Sequence, residues 1–113
     1  MAKKLNLKSG TKLRVVRKPK DVDLGDVEIT SLANVKDVLV FVSRLDELPR
    51  VAAPMIEAAR ADRLAWAAYP KAGQLGTDLN RDLLWKALEK QKIQPVRQIA
   101  LDDVWSALRF RPR

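Results

Sequence analysis

The sequence predicts an α/β domain built on a mixed β-sheet, with parallel central strands and a C-terminal antiparallel hairpin. Three observations carry that expectation. Val38-Leu39-Val40-Phe41-Val42 is a run of five β-formers between Asp37 and Ser43, and Leu64 to Tyr69 (LAWAAY) is apolar throughout, as in strands covered on both faces. Between these runs Leu48, Val51, Ala52, Met55, Ile56 and Ala59 recur at helical spacing, so strand, helix and strand form a right-handed crossover unit with parallel strands. Pro95 to Leu101 and Val104 to Phe110 are strand-like runs separated by Asp102-Asp103, the pattern of a hairpin. At 113 residues the chain has room for one hydrophobic core, so residues 1–113 are read as one domain with a basic N-terminal segment over 1–20.

The remaining elements follow in order. Leu5 and Leu7 can pack on the domain before Ser9-Gly10 turns the chain into a strand over Thr11 to Arg17, where Leu13 and Val15 alternate with charged neighbours. Lys18-Pro19-Lys20 ends that strand, because proline lacks a donor and restricts the preceding residue. Asp21 to Gly25 is turn-rich, with at most one helical turn, and Asp26 to Thr30 is a short edge strand. In the first helix Ser43 or Asp46 is the expected cap, Pro49 suits an early position, and Pro54 falls mid-pattern, where it splits the helix. A second helix is expected over 78–91, capped by Thr77 or Asp78, with Leu79, Leu83, Ala87, Leu84 and Leu88 on its packed face. In the hairpin, Leu108 and Phe110 share one face and Arg109 and Arg111 the other, as in a half-covered sheet.

The chain contains neither cysteine nor histidine. Disulfides, zinc sites built on those residues, cysteine nucleophiles, Ser-His-Asp triads and histidine acid–base chemistry are therefore excluded. No apolar run is long enough to cross a bilayer, and the basic start lacks a signal peptide's apolar core, so a cytoplasmic protein without membrane contact is expected. The net charge of +8 is uneven: Lys3, Lys4, Lys8, Lys12, Arg14, Arg17, Lys18 and Lys20 fall in the first twenty residues, which contain no acidic residue. From residue 21 onward 14 basic residues face 14 acidic ones, which makes the N-terminal segment a candidate contact for a polyanion. No aromatic residue is interleaved among these charges, so base stacking is not expected there.

YPK at 69–71, TDLNRD at 77–82, Trp85 and DDVWSALRF at 102–110 resemble a family of small uncharacterised bacterial proteins, a domain of unknown function with a methyltransferase-like outline. The resemblance covers about residues 38–111. It implies a degenerate Rossmann-like three-layer sandwich and carries no assigned activity. A cofactor-binding methyltransferase needs a glycine-rich turn after its first strand and an acidic residue after the second. Here the first strand runs into Arg17-Lys18-Pro19-Lys20 and the second into Thr30-Ser31, so methyl transfer is not expected and no cofactor is assigned.

The loop after Tyr69 lies at the carboxyl end of a parallel strand, where open α/β sheets place ligands. Lys71 offers a cation, Gly73 and Gly76 allow close backbone approach, and Thr77, Asp78, Asn80 and Arg81 surround the helix start, a set able to hold a small anion. Against that reading, Thr77 or Asp78 can satisfy the helix amides, with Asn80 and Arg81 tying the loop to the hairpin. Tyr69, Asp78 and Arg81 are a nominal acid–base group without histidine or metal support, and no catalytic residue is assigned. The leading expectation is a non-catalytic interaction or regulatory domain, with a protein as its first expected partner. Nucleotide or small-anion binding at 69–81, which would leave the first twenty residues dispensable, and nucleic-acid binding through residues 3–20 are the alternatives.

Overall fold

The computed structural model describes residues 1–8, 10–71 and 73–113. In chain order these form β1 (Lys12–Val16), β2 (Glu28–Thr30), β3 (Val38–Phe41), a 3-10 turn (Leu45–Glu47), α1 (Leu48–Val51), α2 (Ala53–Arg60), β4 (Ala65–Pro70), α3 (Arg81–Leu88), a second 3-10 turn (Glu89–Gln91), β5 (Ile93–Ala100) and β6 (Trp105–Pro112). Ser9, half of the expected Ser9-Gly10 turn, lies outside the described residues. The six strands make one mixed sheet in the order β2-β1-β3-β4-β6-β5. β2, β1, β3 and β4 are parallel, and β6 runs antiparallel between β4 and β5, closing the C-terminal hairpin.

Burial explains the order. Every residue of β3 and β4 is buried, as their unbroken apolar runs require of central strands. On one face Val51, Met55 and Ile56 from the first helices and Leu84 and Leu88 from α3 pack against Val40, Ala67 and Phe110. The opposite face, with Leu13, Leu39, Phe41, Trp66 and Trp105, is covered by irregular segments that contribute Leu5, Val22 and Leu24. Leu5 is fully buried, and its carbonyl accepts a hydrogen bond from Trp66 Nε1 at 3.0 Å. The first residues are thus part of the core, as expected from Leu5 and Leu7, with Leu5 fully buried and Leu7 packed at its margin.

Local chemistry sets the element ends. Pro49 and Pro54 sit in the first turns of α1 and α2, where a missing amide costs nothing, and the helix breaks at Ala52 as the Pro54 signal implied. Neither Ser43 nor Asp46 supplies the expected cap: Glu47 reaches back instead to the amides of Ser43 and Arg44 at 3.2 and 3.1 Å. α3 begins at Arg81 rather than 78, capped by the Asn80 carboxamide on the Leu83 amide at 2.9 Å, because Thr77 and Asp78 are engaged elsewhere. The late start narrows its packed stripe to Leu84 and Leu88, so Leu83 and Ala87 are exposed. β5 starts two residues before Pro95, which an edge strand tolerates, and its register shifts between Pro95 and Arg97. β6 is buried on both faces over Trp105 to Leu108, Ala107 packing with the irregular segments and Leu108 with the helices; beyond that the expected alternation holds, with Phe110 buried, Arg109 partly covered and Arg111 exposed. Asp21 to Gly25 forms no helical turn, and the Asp23 carboxylate accepts the Gly25 amide.

Candidate functional site

The chain leaves β1 for β2 on one side and later places β3 on the other, so the topological switch point lies between the carboxyl ends of β1 and β3. Ligands of open α/β sheets sit in the crevice at such a point. Here Arg17, the residue after β1, forms an ion pair at 3.0 Å with Glu47 from the turn after β3, and the pair spans that crevice. Arg17 has φ of 62°, the left-handed backbone that nucleotide-binding turns give to glycine. Beside it Lys18 Nζ donates to the carbonyls of Pro19 and Val22 at 3.0 and 2.6 Å, folding the following loop onto itself. Glu47 also accepts from Ser43 Oγ at 3.0 Å. Burial pushes the Glu47 carboxyl up, but the Ser43 hydroxyl and amide, the Arg17 charge and the Arg44 amide outweigh it and hold the group below its usual range.

The loop between β4 and α3 is fastened on two sides. The Lys71 amide donates to the Val104 carbonyl at 2.7 Å, so Lys71, rather than Asn80 and Arg81, ties the loop to the hairpin. Thr77 Oγ1 donates to the Ser43 carbonyl at 2.6 Å and accepts from the Leu79 amide at 3.0 Å. Asp78 accepts from the Leu45 amide at 2.8 Å, and Arg44 donates to the Gly76 carbonyl at 3.0 Å. Successive turns need left-handed backbone at Gly73, Leu75 and Gly76, with φ of 82°, 53° and 64°. The structure thus brings Thr77, Asp78 and Gly76 together as a clasp onto the β3–α1 connection. Asn80 is the helix cap, and Arg81 is exposed at the helix start.

Tyr69 and Asp78 are directed to different partners. The Tyr69 hydroxyl accepts from Gln98 Nε2 at 3.0 Å, and burial pushes the phenol up, which keeps it protonated at neutral pH. Asp102 accepts the amides of Val104 and Trp105, making the hairpin turn expected of the Asp pair. Among the described residues no three His, Cys, Asp or Glu side chains converge on a point where a metal could bind. Trp66 and Trp105 are core residues, Trp105 meeting Phe41 edge-on at 5.1 Å, while the half-buried Trp85 carries the Arg113 guanidinium 5.9 Å from its ring centre.

The eight N-terminal cations do not share one surface. Lys4 lies over the irregular face and reaches the Ala100 carbonyl, while Lys3 lines a hollow with Asp26 and Glu28. Lys8 and Arg14 lie at the amino edge of the sheet, and Lys12 opens β1. Arg17, Lys18 and Lys20 follow the strand at its opposite end. At the amino edge Lys8 and Arg14 meet Lys36, Arg63 and Arg109, residues too far apart in sequence to read as a charge cluster. Arg109 Nε is shut from water with no hydrogen-bond partner among the described residues, a defect worth roughly 1–3 kcal/mol. Glu47 was missed as the crevice bridge, although a glutamate three residues past the helix entry is a capping signal. A separate groove of about 630 Å³ runs between the first helices and α3, floored by Leu48, Ile56 and Leu88 and edged by Leu45 and Ala87. No protein-family model and no curated protein sequence matches this chain.

Proposed function

We propose that the chain is a non-catalytic binding domain on a degenerate Rossmann-like, methyltransferase-like scaffold. The strand order supports the scaffold: four parallel strands continue into an antiparallel strand inserted before the last one. Degeneracy lies in the second outer layer, which is irregular chain in place of helices. One observation carries the functional reading, the Arg17–Glu47 pair across the switch point, where a cofactor-using sheet needs an open, glycine-lined crevice. The Thr77–Asp78 clasp closes the neighbouring position by the same means, with protein groups meeting protein groups. Partner contacts are then made elsewhere on the surface.

The test is a thermal-shift series with S-adenosylmethionine, S-adenosylhomocysteine, NAD and ATP, run on the full chain and on Arg17→Ala. The expected result is no rise in melting temperature for any of them. A dose-dependent rise that Arg17→Ala alters would identify a ligand at the switch point and overturn the reading. A small-anion site at Lys71 and the 76–81 segment is the other outcome: ligand-induced stabilisation lost on Lys71→Ala but retained in Arg17→Ala would favour it.

A further inference from the structure

The geometry points to the amino edge of the sheet as a docking surface for the phosphodiester backbone of a nucleic acid. The inference rests on the binding-domain reading and names the partner's chemistry. Two hollows adjoin there and share Arg63, one of about 230 Å³ lined also by Arg14 and Lys36, the other of about 370 Å³ lined also by Lys8 and Arg109. Five separate parts of the chain deliver these cations, so the cluster is a product of folding. None of the five belongs to an ion pair among the described residues. By contrast, Arg17, Arg44 and Arg111 are held by carboxylates.

Among the described residues three carboxylates line the same hollows, and two are already engaged: Asp37 accepts the Leu64 amide at 3.1 Å and Asp62 holds Arg111 at 3.1 Å. Glu57 is the third. Arginine presents a planar fork that fits phosphate oxygens two at a time, and Arg14, Arg63 and Arg109 line the two hollows. Among the described residues no aromatic side chain lines either hollow. Without a platform for a base, contact is with the backbone alone and is indifferent to sequence. The hollows lie on either side of Arg63, one against α2 and one against the N-terminal segment, so a polymer with many phosphates can reach both where a single free phosphate reaches one.

Fluorescence anisotropy of a labelled oligonucleotide, read across a salt series, tests this. Arg63→Ala and Arg14→Ala are each expected to weaken binding about tenfold and to lower the log–log salt slope by about one. Arg50→Ala and Lys86→Ala remove equal charge from the helical side at positions outside both hollows and are expected to change neither. A scrambled oligonucleotide of equal length is expected to bind equally well. Equal losses at the rim and on the helical side, rim variants that bind like the parent, or no binding by the parent at low salt would each overturn the proposal. So would displacement of the oligonucleotide by inorganic phosphate or ATP at matched phosphate concentration, which would mark a small-anion site. Because Arg63 and Lys36 are exposed, a Lys36→Ala, Arg63→Ala double variant checked by its melting curve keeps loss of binding separate from loss of fold. None of these outcomes depends on the switch-point crevice, which the cofactor series tests independently.

Discussion

At the scale of single residues, hydroxyl and carboxylate groups that look like site chemistry are consumed by the backbone. Thr77 both donates to Ser43 and accepts from Leu79, so Thr77→Val is expected to cost about 1–3 kcal/mol in urea unfolding, with Asn80→Ala near 1 kcal/mol. Leu75 shows the opposite balance. It is 63 % exposed and held at φ of 53°, so Leu75→Gly relieves backbone strain while removing little packing. A gain of about 1 kcal/mol is expected, and a loss in the same assay would mean that Leu75 makes contacts its exposure hides. The residue types of this loop were legible from the sequence as a polar, glycine-bearing segment at a strand end. Their partners were not, because Ser43 and Leu45 lie more than thirty positions upstream and no spacing rule connects them.

At the scale of elements, the strands were readable wherever burial is two-sided. β3 and β4 announce themselves as unbroken apolar runs, and Pro54 correctly signals the split between α1 and α2. In the N-terminal segment the packing of Leu5 was legible as an apolar residue among lysines, but its partner Trp66, 61 positions away, was not. Leu5→Ala is expected to cost about 2–5 kcal/mol, since it opens a cavity against Trp66. The matching readout is indole fluorescence, which should move to the red as water reaches Trp66. A variant as stable as the parent would show that the segment merely rests on the sheet. The start of α3 was misplaced for a related reason: Thr77, Asp78 and Asn80 are all competent caps, and only tertiary contacts to the β3–α1 connection decide among them.

At the scale of the whole molecule, the two ends of the parallel strands differ in how their charges are used. The carboxyl end pairs Arg17 with Glu47 and Arg44 with Asp78, whereas the amino end gathers cations from across the chain. That contrast was invisible in a charge count, which assigned the asymmetry to the first twenty residues because sequence proximity stood in for spatial proximity. It also has a pH signature. Glu47 is held below its ordinary value of 4.5, so the unfolded state takes up its proton first as pH falls. Its contribution to stability is therefore present above about pH 4.5 and is lost as pH drops through the lower folded value. Urea midpoints measured from pH 7 to pH 3 should fall on the acid side, and Glu47→Gln should flatten that fall; an unchanged acid limb would show that Glu47 is not the group responsible.

The closed crevice can be examined most directly by amide NMR of the full chain during addition of S-adenosylmethionine and nucleotides. The expected spectra show no saturable shifts at Arg17, at residues 43–47 or at 73–80, consistent with groups that already satisfy one another. Saturable shifts centred on Arg17 and Glu47 would contradict that closure and reopen the switch point as a cofactor site.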